Sequence, residues 1–228
     1  MTAAHPLDLP ALSALRGRHA RFAVVHGAAR RYHPAYGVFA ALPDDAEPSL
    51  TSLAALAIEH GDVALLQPDA PPPIPGLAVV SQDLGVQMVA TQVTDASAPD
   101  AAIIALGDAD APEMLALATL TEPGPFFEKT HQLGSFVGIR QHGRLVAMAG
   151  ERMQPDGFTE VSGVCTHPDH RGRGYAAALM RRVAAGILAR GDTPFLHAYA
   201  SNQAAIALYE RLGFRHRREI LMTRLTTA

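Results

Sequence analysis

The chain has 228 residues, of which 48% are hydrophobic and 18% charged, and its formal net charge is −3. This composition is typical of a folded globular protein, and the absence of a basic excess excludes binding to nucleic acid through bulk charge. The single cysteine, Cys165, excludes an internal disulfide and favours a reducing, cytoplasmic setting. Met1 to Pro10 lacks the pattern of a signal peptide, and no apolar run is long enough to cross a membrane, so we expect neither.

The first hundred residues are predicted to form a smaller α/β region. Apolar residues at helical spacing predict a helix from Leu50 to Glu59, ended by Gly61. Short strands are expected at Val63 to Leu66 and Leu77 to Ser81, on either side of a proline-rich loop from Gln67 to Gly76. Arg30, Arg31 and His33 could bind an acid, but a solvated face is the favoured interpretation, because isolated charges usually lie on the surface.

A small, polar stretch from Thr94 to Ala101, which contains Pro99, separates this region from a more regular one. We place a domain boundary there, which gives an N-terminal region of residues 1–100 and a C-terminal domain of residues 101–228. The C-terminal part alternates strands and helices without an internal repeat. Strands are predicted at Ala101 to Leu106, Ser135 to Arg140, Arg144 to Met153, Thr159 to Thr166, Pro194 to Ala200 and Phe214 to Leu225, and helices at Ala111 to Leu120, Gly174 to Arg190 and Asn202 to Leu212.

The segment from His167 to Ala176 joins a predicted buried strand to the start of an amphipathic helix. Gly172 and Gly174 remove side chains where main-chain N–H groups have to approach a ligand closely, and the helix N-terminus attracts an anion. Arg171 and Arg173 add positive charge. A diphosphate site is therefore predicted, although the sequence matches neither a Walker loop nor a dinucleotide-binding fingerprint well.

Two motifs in this region resemble those of the GNAT superfamily of N-acetyltransferases. Arg171-x-x-Gly174-x-Ala176 resembles the family's cofactor motif, and the helix from Asn202 through Tyr209 to Gly213-Phe214 resembles its second conserved helix. The resemblance covers about residues 101–228. It implies an α/β fold with a mixed, mainly antiparallel sheet that splays between the Thr159 strand and the Pro194 strand. The N-terminal region is then a candidate for a degenerate half of the same fold.

The resemblance also implies roles for particular residues. Acetyl-CoA would bind to main-chain groups at the strand end formed by Val164, Cys165 and Thr166. Its diphosphate would lie on the loop, and Asn202 would contact the pantetheine arm. Tyr209 would protonate the leaving thiolate, since its ordinary pKa of about 10 is close to that of the thiol. The loop residues concerned are Arg171, Gly172, Arg173, Gly174, Tyr175 and Ala176.

The general base is left open by the sequence. Glu160 stands at the offset before Arg171 where histone acetyltransferases of the family carry a catalytic glutamate. His197 precedes Asn202 where some N-terminal acetyltransferases carry a base, and its ordinary pKa is already near neutrality. Glu151 is a third candidate, and bound water without a dedicated base is the remaining alternative.

Two other chemistries are less favoured. Cys165 has no base fixed beside it in the sequence, so we interpret it as a buried strand residue rather than as a nucleophile. His167 and His170 have the spacing of metal ligands, but zinc needs three or four ligands and Pro168 indicates a loop, so no metal is expected.

The sequence thus predicts direct transfer of an acetyl group from acetyl-CoA to a primary amine, which is a small molecule or a peptide. The alternative is a module that binds acyl-CoA without turnover, or that docks a partner. The loop from Thr121 to Gly134, with Phe126 and Phe127, is the candidate wall of the acceptor pocket. We expect a monomer or homodimer that binds neither nucleic acid nor membrane.

Overall fold

One mixed sheet runs through the computed structural model, which describes residues 5–94 and 101–228. Among these residues the strand order is β1-β2-β3-β4-β11-β5-β10-β9-β8-β7-β6. The β3–β4 and β9–β10 pairs are parallel and the other neighbouring pairs are antiparallel, which confirms the predicted fold class. The strands are β1 (Ala23–His26), β2 (Ala29–Tyr32), β3 (Phe39–Ala41), β4 (Val63–Gln67), β5 (Leu77–Val89), β6 (Ile103–Leu106), β7 (Phe136–Gln141), β8 (Arg144–Glu151), β9 (Phe158–Thr166), β10 (Thr193–Tyr199) and β11 (Arg215–Thr227).

Helices flank the sheet, and all but the last bury apolar side chains. They are α1 (Pro10–Arg16), α2 (Glu47–His60), α3 (Ala111–Thr121), α4 (Tyr175–Ala189) and α5 (Gln203–Arg211). On α4, the buried residues Leu179, Val183 and Ile187 recur at helical spacing and pack in the same core as β8 residues. Each such side chain stabilises the fold by about 1.5–3 kcal/mol through burial. Within the described ranges, none of the helices combines the length and apolar character that a membrane span requires.

The elements after residue 101 agree with the sequence predictions to within two residues at each end. The two-residue turn between β7 and β8 has positive φ at both His142 and Gly143, the conformation that a tight hairpin requires. The sequence prediction missed α1 and the short strands β1 to β3. It also ended β5 at Ser81, whereas pairing with β10 and β11 continues that strand to Val89.

The predicted domain boundary falls on residues 95–100, which lie outside the described residues. Strands from both sides of it alternate in the sheet, since β5 lies between β10 and β11. Arg18 adds a further connection, because its guanidinium pairs with Asp192 at 2.6 Å and donates to the carbonyl oxygens of Pro155 and Phe158. The division into residues 1–100 and 101–228 stays a prediction.

Arg31 does not lie on a solvated face, so that interpretation is wrong for this residue. Its side chain is buried and donates to the carbonyl oxygens of Gly61 at 2.7 Å and Asp62 at 3.2 Å, just beyond the end of α2. These carbonyls are left without helical partners, and a cation at a helix C-terminus is favourable. Burial lowers the pKa of Arg31 from its ordinary value.

His19 makes the fold sensitive to acid. Its ring is buried, and Nδ1 lies 2.9 Å from the hydroxyl of the fully buried Tyr32. Burial lowers the pKa of His19 to about 4, so the folded protein holds it neutral while the unfolded chain protonates it near its ordinary value of about 6.5. Its contribution to stability is therefore complete above about pH 6.5 and is lost as the pH falls towards 4.

We predict that replacing His19 by Gln removes this part of the acid sensitivity. In the wild type, the free energy of unfolding should fall by about 1.4 kcal/mol per pH unit across that window from this residue alone. Urea unfolding of both proteins between neutral pH and about pH 4 measures the difference in slope. Identical slopes would contradict the assignment.

Candidate active site

Strand β9 loses its neighbour on one side after the first third of its length. It pairs with β10 only through Phe158, Thr159 and Glu160, opposite Thr193 to Phe195. From Val161 to Thr166 its other edge still pairs with β8. This is the splay predicted between the two strands, and it leaves a row of main-chain donors and acceptors facing an opening in the sheet.

A bulge in β9 accompanies the opening. Met148 is opposite Cys165 while Gly150 is opposite Ser162, so three steps along β9 match two along β8. Gly163 lies in the extra stretch with φ of +62°, a left-handed conformation that glycine adopts without steric cost. A Cβ added at this position would lie 3.0 Å from Cε1 of Phe136. The position therefore favours glycine for two separate reasons.

The predicted phosphate loop connects the end of β9 to the N-terminus of α4. Gly172 and Gly174 have φ of +77° and +75°, and no atom lies within 4 Å of a Cβ built on either one. Arg171 and Arg173 are exposed on the same loop. Open main-chain N–H groups, a helix N-terminus and two cations thus lie together, as an anion site requires.

A cavity of about 370 Å³, here called the loop cavity, lies beside this segment. Every residue predicted to contact the cofactor lines it. These are Val164, Cys165, Thr166, Arg171, Gly172, Arg173, Gly174, Tyr175, Ala176 and Asn202. The structure therefore brings the two sequence motifs to one surface, while their binding role stays a prediction.

A second cavity of about 200 Å³, the sheet cavity, extends between β9 and β10. Its apolar wall includes Leu66, Leu196 and Met222, and its polar wall includes Arg152 and Glu160. Glu122 to Pro125 also line it, which is part of the predicted acceptor loop. Phe126 instead packs edge-on against Phe136, with ring centroids 5.8 Å apart.

Tyr209 lies where the two cavities meet. Val164, Asn202 and Tyr209 line both of them. The Tyr209 ring packs against Phe214, and burial raises the pKa of its hydroxyl above the ordinary value. Its hydroxyl bonds to no other residue in the described part of the chain and is not shielded from solvent. Asn202 Oδ1 accepts from the N–H of Ala205 and caps α5, so its amide group retains free donors.

Glu160 is in the sheet cavity but is held in a buried ion pair. Arg152 donates to both carboxylate oxygens, from Nε at 2.8 Å and from Nη2 at 2.7 Å. Burial by itself raises the pKa of Glu160, but the charge and hydrogen bonds of Arg152, with His197, outweigh it and hold that pKa far below the ordinary value. Proton uptake by Glu160 itself is therefore unfavourable.

His197 also has both ring nitrogens occupied. Nδ1 lies 2.8 Å from Oε1 of Glu160, and Nε2 lies 3.0 Å from Nε2 of Gln87. Gln87 accepts from Arg217 through Oε1 and donates to the carbonyl oxygen of Leu7, so its amide orientation is fixed. It follows that Gln87 donates to His197 Nε2 and that Nδ1–H donates to Glu160. The lone pair that a general base would use is occupied.

The remaining candidates lie elsewhere or are inert. Glu151 is buried, and its Oε1 pairs with Nη2 of Arg190 at 2.6 Å. It lines neither cavity. Burial raises the pKa of the Cys165 thiol to about 11, so it is not a thiolate at neutral pH. No cluster of three or more metal-ligating side chains occurs in the described residues.

Two polar residues of the sheet cavity were missed from the sequence. Arg152 and Tyr199 carry no motif, and only the register of the sheet brings them to one cavity. Glu122 falls within the predicted acceptor loop, just before Pro123-Gly124-Pro125. The structure gives it φ of +48°, which is uncommon for a residue other than glycine.

A mixed α/β sheet that opens beside a glycine- and arginine-containing loop defines the acetyltransferase class to which the sequence motifs pointed. The profile of the FR47-like protein family matches residues 136–222, which contain most of the site. A structure described as a GNAT-family acetyltransferase from Novosphingobium aromaticivorans DSM 12444 is 46% identical, with 99% of this chain and 100% of that chain covered and a TM-score of 0.89. This chain therefore belongs to the GNAT family of acetyltransferases.

More distant structures share the fold alone. A GCN5-related N-acetyltransferase from Kribbella flavida is 20% identical, with 95% of this chain and 93% of that chain covered and a TM-score of 0.63. A GCN5-related N-acetyltransferase from Sphaerobacter thermophilus is 17% identical, with 86% of this chain and 76% of that chain covered and a TM-score of 0.51. Among curated proteins, no sequence matches significantly.

The bulge generates a prediction with a matched control. Gly163→Ala and Gly143→Ala both place a side chain in a left-handed conformation, which costs about 1–2 kcal/mol. Only the Gly163 change also crowds Phe136, since open space surrounds Gly143. We expect Gly163→Ala to lower the free energy of unfolding more than Gly143→Ala in urea titrations. Equal losses would show that the contact with Phe136 does not constrain the bulge.

Proposed function

We propose that this protein transfers an acetyl group from acetyl-CoA to a primary amine by direct attack while both substrates are bound. The observation that carries the proposal is the position of Tyr209. Its hydroxyl, which bonds to none of the described residues, lies at the junction of the two cavities, beside the stretch of β9 that does not pair with β10. One cavity would hold the thioester carrier and the other the acceptor.

The loop cavity fits the diphosphate and pantetheine of CoA. Arg171 and Arg173 supply charge, and Gly172 and Gly174 leave the main chain open to phosphate oxygens. The free amide donors of Asn202 and the main-chain groups of Val164 to Thr166 would hold the amide-containing arm. When bound, acetyl-CoA supplies an acetyl group activated as a thioester.

Main-chain donors in β9 would also orient the reacting carbonyl group. N–H groups aimed at the oxygen where charge develops stabilise the transition state of acyl transfer. The bulge at Gly163 turns the strand where it loses β10, so it can direct such groups towards the opening. This role is independent of any side chain.

Tyr209 would donate the proton that the departing thiolate needs. Its raised pKa keeps the hydroxyl protonated at neutral pH, so the acid form is fully populated. Because the hydroxyl has no partner among the described residues, no existing hydrogen bond has to break before the transfer.

The acceptor amine would lose its proton to water rather than to a dedicated side chain. Both Glu160 and His197 have their basic lone pairs occupied, by Arg152 and Gln87 respectively. The pH below which the rate falls should then follow the pKa of each acceptor amine. The identity of the acceptor, a cytoplasmic location and a monomeric or homodimeric state remain predictions.

Removing Arg171 should weaken CoA binding. We expect Arg171→Ala and Arg173→Ala each to raise the dissociation constant of CoA by about tenfold, since each removes one charge-assisted contact with phosphate. Arg182→Ala on α4, the helix that follows the loop, is the matched control, because Arg182 is exposed and lies outside the loop cavity. Isothermal titration with CoA measures the three constants, and unchanged binding in both loop variants would overturn the phosphate assignment.

Replacing Tyr209 by Phe should lower turnover by roughly 100-fold while leaving the dissociation constant of CoA unchanged. In the wild type, the rate should rise with pH as the acceptor amine becomes neutral, and it should not decline below about pH 10, because the pKa of Tyr209 is raised. Release of CoA, followed with a thiol reagent, reports the rate. Tyr36→Phe, at a hydroxyl outside both cavities, should behave as the wild type. Equal turnover in Tyr209→Phe removes this residue from the mechanism.

A further inference from the structure

Arg152 uses only one edge of its guanidinium group within the described chain. Glu160 occupies the edge formed by Nε and Nη2. Nη1 makes no hydrogen bond to a described residue, yet it is not among the polar atoms shielded from solvent. Since Arg152 lines the sheet cavity, the end formed by Nη1 and Nη2 is open to whatever occupies that cavity.

The open edge is rigidly held. Arg152 is buried, its Cζ lies 4.6 Å from the ring centroid of Phe39, and the two bonds to Glu160 fix its plane. A guanidinium fixed in this way presents two parallel N–H groups whose spacing matches a carboxylate. Glu160 balances its charge, so the edge persists in the buried site without a ligand.

Other features of the sheet cavity fit a small zwitterion. Tyr199 lines it and lies close enough to Arg152 for that charge to influence the pKa of its hydroxyl. Glu122 lines it as well and forms no ion pair with a described residue, so it can attract an ammonium group. The apolar wall of Leu66, Leu196 and Met222 fits an aliphatic side chain. The volume of the sheet cavity, about 200 Å³, suits a small acceptor.

We infer that the acceptor is a free amino acid whose carboxylate binds to the Nη1–Nη2 edge of Arg152. This inference rests on the proposed function and names the class of its acceptor. An amine without a carboxylate leaves the edge unpaired, and the N-terminus of a peptide presents an amide at the same place. Phe39 fixes the arginine, so the N-terminal region takes part in selecting the acceptor.

The test compares acceptors that differ only in this group. Turnover by the wild-type protein with acetyl-CoA is measured for L-leucine, L-leucinamide and isoamylamine, and for L-methionine and L-methioninamide. We expect kcat/KM to be about tenfold or more higher for each acid than for its amide, because a charge-assisted pair is lost in the amide. The α-amino group of the amino acid amide is less basic than that of the free amino acid, so more of it is neutral at neutral pH. Without recognition of the carboxylate, the amide would therefore react faster.

A double variant assigns the preference to Arg152. Arg152→Met with Glu160→Gln removes both charges together and leaves no unpaired buried ion, so the fold is expected to persist. The ratio of acid to amide should fall to about one or below. Arg140→Met with Glu113→Gln disrupts a charge cluster outside both cavities, in which Arg140 pairs with Glu113 and Asp110, and should keep the wild-type ratio.

The outcomes separate the inference from the function on which it rests. Equal or faster turnover of the amides by the wild type overturns the inference and leaves acetyl transfer to amines standing, with peptide N-termini as the favoured acceptors. An unchanged ratio in the Arg152 double variant also overturns it. If none of the amines releases CoA, the proposed function fails, and the inference fails with it.

Discussion

The functional architecture depends on one interruption in the sheet, where β9 parts from β10 after Glu160 and Phe195. Buried main-chain groups need hydrogen-bond partners, so a strand edge left open inside a protein needs something to cover it. Here the uncovered edge faces both cavities, and the bulge at Gly163 turns the strand at the same place. A substrate with its own amide and carbonyl groups can supply the missing partners.

A buried polar network supports the closed end of this opening. Glu160, the last β9 residue to pair with β10, binds both Arg152 and His197, and Gln87 holds His197 from β5. Every charged member has a partner, which a buried ion pair requires if it is not to be strongly destabilising. Glu160 and His197, which resembled acid–base catalysts in the sequence, are thus tied into this network and line the sheet cavity. Phe39, from the N-terminal region, packs on the same network, so this region contributes to the site as well as to the sheet.

Sequence patterns predicted what depends on local chemistry. Helical spacing predicted α4, and the glycines and arginines of residues 171–174 indicated the segment that lines the loop cavity, because both signals lie within a few adjacent residues. Phosphate binding by this segment stays a prediction. Contacts between distant segments gave no such signal. Arg31 looked like a surface charge until the end of α2 was placed beside it, and the Gln87–His197 contact joins residues 110 positions apart. The sequence indicated Glu160 as a site residue but not its pairing with Arg152. That pairing depends on how the chain turns between β8 and β9, which the spacing of apolar residues does not specify.

The most direct test of the cofactor site is a crystal structure of the protein soaked with acetyl-CoA. We expect the diphosphate on the main-chain N–H groups of residues 171–176 and the pantetheine along the edge of β9 that does not pair with β10. The thioester sulfur should lie within hydrogen-bonding reach of the Tyr209 hydroxyl. Acetyl-CoA bound at another surface, with the edge from Val161 to Thr166 left uncovered, would contradict the claim that this opening in the sheet is the cofactor site.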